Sequence, residues 1–458
     1  MSLLSARSAG GLLLAASLAV RAAGPPPFSP QRYDEDWRAA CAQDAGAAPA
    51  FKCLSPLGRG SLLSLGGEWR ERYESTDPGN FGIGEGHDAV LLHRLLGHAD
   101  LRRGQRLRLF AQLGLHRESG RAGGPSPTDE NDADLQQGFA DLALSAAGGN
   151  LLLRAGRQEF VLGSSRLVSV RESPNIRRSF DGLRGSWRSG ALQADAFYLK
   201  PLHIEPAGFD DRASPSERLW GAQLGGGSLS SGPGRFEAYY LGYARQGREY
   251  AAGTADEQRH SLGVRRHGQG KAWDWNLEAV LQAGDFGHRR IRAWTLASDS
   301  GRRWPGVAGH PRLGLKADIA SGDRDPSDGR LETFNAMYPT PTYFSEASLV
   351  APANFVDLQP SLGLSPAERI SLLLGWNFLW KQRREDAVYT TPAPLSPLPG
   401  SAGGARRIGD QLRLEASWKP QPGLELRAAY VHFNAGAAVR QAGGRDVDFA
   451  MLSASLRY

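Results

Sequence analysis

Beyond its first 24 residues the chain has no apolar run longer than about ten residues. A membrane helix needs roughly 20, which excludes a helical membrane protein. Cysteine is nearly absent, with 2 in 458 residues, and no histidine lies near enough to complete a zinc site with them. The phosphate-cradling GxxxxGK, the zinc-binding HExxH and the nucleophile-bearing GxSxG are all missing, so the sequence gives no reason to expect an enzyme, a cofactor or a metal. Lysine is scarce as well. Of 54 basic residues only six are Lys (Lys52, Lys200, Lys271, Lys316, Lys381, Lys419), which leaves 48 Arg. Codon bias explains part of that skew. The other part is chemical, because Arg is always charged and matches carboxylates with a planar fork. The arginines are scattered among acids rather than clustered in a patch, which argues against nucleic acid.

Glycine is plentiful, with 57 residues, and 40 aromatics run the whole length; both speak against a helical bundle and against disorder. Residues 1–22 read as a secretory signal, with Arg7 in the basic region, Leu12 to Val20 as the apolar core and Val20-Arg21-Ala22 at the cleavage site. Export implies an oxidising compartment, where Cys41 and Cys53 form a local disulfide or remain two free thiols. Residues 23–60 are an N-terminal periplasmic segment, either an extension clipped by that disulfide or part of the closing strand.

From Ser61 onward the period is two, the period of strands. Leu63, Leu65, Gly67, Trp69 and Tyr73 share one face; Ser64, Glu68, Arg70, Arg72 and Glu74 share the other. Leu107 to Leu115, Trp273 to Leu281, Leu313 to Ile319, Ile370 to Phe378, Leu412 to Trp418 and Leu424 to Tyr430 repeat the pattern. A soluble sandwich hides such apolar faces inside, whereas a membrane barrel shows them to lipid and lines a wet lumen with the polar faces. The signal, the spans of about ten residues and the aromatics near strand ends favour the barrel. So does the terminal run Ala450, Leu452, Ala454, Leu456 and Tyr458, which resembles the signal read by the barrel assembly machinery. The expectation is an all-β transmembrane antiparallel barrel over residues 61–458 with about 18 strands, since barrels of this kind have even numbers. Long loops are expected at 120–134, 201–218, 321–353 and 382–408, with 148–150 a short turn. The last loop is rich in Pro, Gly, Ala and Thr and should be mobile. The segment 323–329 has the look of a calcium loop, but it has Pro326 at the fourth place, no acid at the fifth and Phe334 where the bidentate Glu belongs, so a solvated turn fits better.

The densest chemistry runs from Arg154 to Arg184, with six Arg before Asp181 and the acids Glu159, Glu172 and Asp181 among them. A structural salt-bridge network and a ladder of fixed charge for a polyanion both fit this pattern. Here the sequence resembles the alginate-export family of outer-membrane barrels. The carrying stretches are Gly156-Arg157-Gln158-Glu159, Arg177-Arg178-Ser179-Phe180-Asp181-Gly182, Ala320-Ser321-Gly322-Asp323-Arg324-Asp325, Thr333-Phe334-Asn335, Met337-Tyr338-Pro339, Tyr343-Phe344, and Leu91 to Leu96 with Asp100-Leu101-Arg102. The resemblance implies an 18-stranded monomeric barrel in the Gram-negative outer membrane, in contact with its lipid and passing an acidic polysaccharide or organic anions. Rings of Arg select anions in pores, so Arg70, Arg72, Arg94, Arg106, Arg108, Arg154, Arg157, Arg177, Arg178, Arg184, Arg312, Arg369, Arg413 and Arg427 are expected lumen charges. Glu68, Asp141, Glu159, Asp181, Asp195, Asp318 and Glu425 are their expected partners. The long loops 321–353 and 382–408 are candidate plugs. A passive anion porin and a secreted carbohydrate-binding sandwich are the competing readings.

Overall fold

The computed structural model describes residues 28–42, 48–84, 86–227, 234–391 and 395–458; the expected signal segment 1–22 lies outside the described residues. The long strands are β1 Ser61–Asp77, β2 Asp88–Arg103, β3 Leu107–Ser119, β4 Asn131–Ala146, β5 Gly149–Glu159, β6 Ser179–Ser189, β7 Leu192–His203, β8 Glu217–Gly227 and β9 Arg235–Tyr250. They continue as β10 Gly253–Gln269, β11 Trp273–Phe286, β12 Arg289–Arg303, β13 Arg312–Ala320, β14 Phe355–Ala367, β15 Ile370–Trp380, β16 Arg407–Gln421, β17 Leu424–Ala435 and β18 Val447–Arg457. Each pairs antiparallel with its neighbours in chain order, and β1 also pairs with β18 from Glu68↔Arg457 to Asp77↔Asp448. The sheet therefore closes into an 18-stranded barrel, as the period and length of the alternating runs predict.

The distribution of side chains is inverted relative to a soluble protein. On β1, Leu65, Trp69 and Tyr73 are exposed while Glu68, Arg70 and Arg72 are buried. The most exposed large apolar groups include Leu262 at 63% and Leu281 at 68%, whereas Arg94 and Arg259 are wholly buried. An apolar outer band suits hydrocarbon, and closure leaves no strand edge there unpaired. On the outer face of β15, Trp376, Phe378 and Trp380 stack in a ladder with centroids 5.7 and 6.3 Å apart.

One mouth carries short turns, at 104–106, 147–148, 190–191, 270–272, 368–369 and 422–423. The other carries the long connections 120–130, 160–178, 204–216, 321–354 and 381–406. Three of these long segments fold inward and build an apolar core inside the barrel. Phe160, Leu167 and Val168 of the first, Phe334, Tyr338 and Phe344 of the second, and Val388, Tyr389 and Leu398 of the third are all buried in it. The loop 381–406 is thus packed rather than mobile. Lys381, wholly buried at its start, donates through Nζ to the carbonyls of Arg384, Asp386, Ser401 and Gly403 at 2.7, 3.2, 2.7 and 2.8 Å. Its Pro and Gly content sets the backbone path, and the ammonium gathers the carbonyls that path exposes.

The segment before β1 is neither a free extension nor a closing strand. Cys41 and Cys53 are joined, Leu54 bridges to Leu63, and residues 28–37 turn into the short-turn mouth. A charge placed on the outer band tests the inverted arrangement. Leu262→Arg, at mid-strand on β10, should destabilise the refolded barrel by about 2–4 kcal/mol, measured as reversible unfolding in lipid vesicles; an unchanged midpoint would place Leu262 away from hydrocarbon.

Candidate transport pathway

The inward side chains of the wall are mostly matched ions. Arg154 on β5 lies directly opposite Asp141 on β4 and donates to it at 2.8 and 2.9 Å, while its guanidinium stacks 3.7 Å over the Phe139 ring. Arg157 faces Asp181 across β5–β6, at 3.0 Å, and reaches Asp134 at 3.4 Å. Gly156 before it adopts φ +128, and a Cβ there would sit 2.3 Å from the Gly138 carbonyl, so the kink that aims Arg157 requires glycine. Arg108 binds Asp100 at 2.7 Å, and Arg184 binds Asp195 at 2.7 Å. Arg312 binds Asp274 at 2.6 Å, Arg413 lies 3.4 Å from Glu415, and Arg72 and Arg427 both bind Glu346, at 3.2 and 2.5 Å. Asp318 accepts from the Tyr343 hydroxyl at 2.8 Å with Lys316 3.6 Å away, and Glu425 lies between Lys419 and Arg457.

Two expected lumen charges are elsewhere. Arg106 is exposed in the turn between β2 and β3, and Arg369 is exposed in the turn between β14 and β15, where it donates to the Pro420 carbonyl at 2.6 Å. Counting alternate positions carried both one step past the end of a strand.

The inserted segment 160–178 forms a constriction held by one acid. Glu172 lies 2.7 Å from Arg94, 3.3 Å from Arg177 and 3.8 Å from Arg70. Burial works to raise its carboxyl, but Arg177, Arg94 and Arg70 outweigh it and hold it well below the usual carboxylate range. Arg94 also donates to the carbonyls of Asn175 and Pro174, at 2.8 and 2.7 Å, and Glu68 bridges Arg94 and Arg457. Glu159 completes the knot 2.9 Å from Arg177. Glu172 was expected among the acids of the segment 154–184, whereas Asn175 and Glu346 were outside the expected set, because they sit on loops whose inward fold no periodicity reveals.

The constriction also holds guanidinium groups without acids. Arg171 and Arg178, buried on this segment, have no carboxylate within ion-pair distance among the described residues. Arg178 instead lies 4.9 Å over the Tyr338 ring. Burial, and then Arg178 beside it, press the Arg171 guanidinium down to about 9. Two buried like charges of this kind ask for an anion. A set of carboxylates, Asp134, Asp210 and Asp211, brings ligand oxygens within 4.8 Å of one another. Arg157 already supplies their countercharge, donating to Asp134 at 3.4 Å and to the Asp211 carbonyl at 2.9 Å.

Loss of the constriction's anchor is a direct test. Arg94→Ala removes charge-assisted bonds worth about 1.5–3 kcal/mol each, so trypsin should cleave at Arg171 or Arg177 in the folded barrel; resistance equal to the parent would deny Arg94 that role. A second test concerns the long loop after β13. Asp323 is buried there, its backbone N–H donating to Asp386 at 2.9 Å. Burial, and then Asp386, push its carboxyl up to about 6. The folded chain therefore keeps a proton that the unfolded chain releases nearer the ordinary carboxylate range. Stability of this anchor falls as pH rises through that window to about 6 and stays low above it. Amide exchange at Gly322 and Asp323, corrected for intrinsic rate, should be faster at pH 7 than at pH 5.

The sequence profile of the family described as alginate export matches residues 61–453. No curated protein matches the chain. Among solved structures, a BenF-like porin from Pseudomonas fluorescens Pf-5 is 10% identical with a TM-score of 0.59, covering 86% of this chain and 99% of that one. OccK11 (OpdR) of Pseudomonas aeruginosa is 15% identical at 0.56, covering 86% and 95%. OpdK of the same organism, solved with vanillate, is 12% identical at 0.58, covering 86% and 98%. At these identities the likeness is one of fold.

Proposed function

The chain belongs to the alginate export family, and from that premise we propose that this outer-membrane channel is anion-selective and exports an acidic polysaccharide such as alginate. The observation that carries the reading is the pair Arg171 and Arg178, two buried guanidinium groups at the constriction with no carboxylate within ion-pair distance among the described residues. A carboxylate passing between them is the missing partner. The matched pairs on the wall serve transit in another way. An arginine already held by an acid offers a weak second contact, and conduction needs several weak sites rather than one tight one. Barrels of this class keep short turns on the periplasmic side and long loops outside. Cargo then enters from the periplasm at the mouth that holds residues 28–37 and leaves past the inserted loops.

One solved neighbour is a porin by name and OpdK was solved with vanillate, so a passive porin for small organic anions is the second reading. Planar-bilayer recording separates the two. The parent protein should give anion-selective currents that alginate oligomers block. Arg171→Gln with Arg178→Gln should move the reversal potential toward that of an unselective pore and weaken block about tenfold, the equivalent of one charge-assisted contact of roughly 1.4 kcal/mol. Selective currents that no oligomer blocks would favour the passive porin, and unaltered selectivity in the double variant would remove these arginines from the pathway.

A further inference from the structure

Residues 28–37 are seated in the short-turn mouth by contacts to the barrel seam and to the constriction. Arg32 donates to the Gly67 carbonyl at 2.6 Å and to Tyr458 O at 2.9 Å, and its guanidinium is locked by Glu35 at 2.7 Å. Tyr33 packs edge-on between Phe110 and Phe139, with Arg154 4.5 Å over its ring. The Pro30 carbonyl accepts from Arg177 at 2.8 Å. The segment thus lies across the path between the mouth and the constriction.

Its charge complements the wall it covers. Around it the strands present five arginines, Arg102, Arg108, Arg154, Arg184 and Arg188, against three acids, Asp100, Asp141 and Asp195. That leaves two positive charges, and the segment answers with Asp34 and Asp36, the latter shared with its own Arg38. Asp36 lies 2.6 Å from Arg38 of its own segment and 3.1 Å from Arg102 of the wall. Asp34 is exposed, and Arg154, Arg184, Arg108 and Arg188 lie around it without any of them ion-pairing with it. Arg188 has no other acid partner among the described residues.

We propose that this segment is a tethered stand-in for cargo. Asp36, paired with Arg102, and Asp34, unpaired among Arg108, Arg154, Arg184 and Arg188, lie where these five arginines can hold a carboxylate, and a polyuronate arriving at the mouth takes that site and displaces the segment. The proposal rests on the channel reading above and adds to it where cargo first binds and what it must remove. Displacement uncovers a site with two unbalanced positive charges, so an acidic chain gains what the segment gives up, whereas a neutral sugar gains nothing. Tethering makes the segment an efficient competitor in the absence of cargo.

The test uses the full chain in detergent or lipid, with oligomers of guluronate and a neutral oligosaccharide of equal length. Hydrogen exchange over residues 28–42 should rise on adding the acidic oligomer and not the neutral one. Asp34→Asn with Asp36→Asn keeps shape and removes both charges; both positions are solvent-accessible, so the barrel should still assemble. This variant should open at about three- to tenfold lower oligomer concentration, the range expected for partly exposed ion contacts. Currents blocked by the oligomer while the segment stays protected, or a variant that titrates like the parent, overturn the proposal and leave the channel reading standing. No binding and no anion selectivity in either protein defeats the channel reading and the proposal with it.

Discussion

The backbone in hydrocarbon has no water to bond with, so every N–H and C=O in the lipid-exposed wall needs a partner in the sheet. Closure of β1 on β18 meets that demand, and most of the molecule's arrangement follows from it. With both edges joined, the alternation of a strand has only two destinations, lipid or lumen. Leu262 and Leu281 take the first; Arg94 and Arg259 take the second. The lumen then inherits a large charged inventory in a confined space.

Confinement makes neutralisation the second organising demand, because a buried unpaired charge is costly. The wall solves it strand by strand, as Arg154 with Asp141 and Arg157 with Asp181 do across directly opposed positions. The inserted segment solves it through one acid shared among three arginines, Glu172. The solution is incomplete at Arg171, Arg178 and Arg188, which have no carboxylate within ion-pair distance among the described residues.

The members of these pairs were legible in the sequence as residues of the polar faces, whereas which arginine meets which acid depends on a register that alternation alone does not fix. The barrel, its strand number and the closing run that ends at Tyr458 were legible too. Signals tied to three-dimensional insertion were not. The loop 381–406 reads as loose by composition, yet a single buried ammonium, Lys381, organises it. Glu172 sits in a stretch without periodicity, and only the inward fold of 160–178 brings it to Arg70 and Arg94. Arg106 and Arg369 failed for the opposite reason: alternation has no marker of its own end, so a turn residue inherits the face of the strand before it. Residues 28–37 carry too little pattern to betray that they belong inside.

The seat of that N-terminal segment has a bearing on the order of events during biogenesis. Arg32 and Lys52 both donate to Tyr458 O, across 426 and 406 positions of sequence. Gly67 and Tyr458 exchange the backbone bonds beside them. The docking platform is therefore the zipped seam itself and does not exist while β18 is still unpaired. Contacts of such separation form late, so a half-built barrel stands unstoppered. Seating of the segment thus reports that the seam is complete.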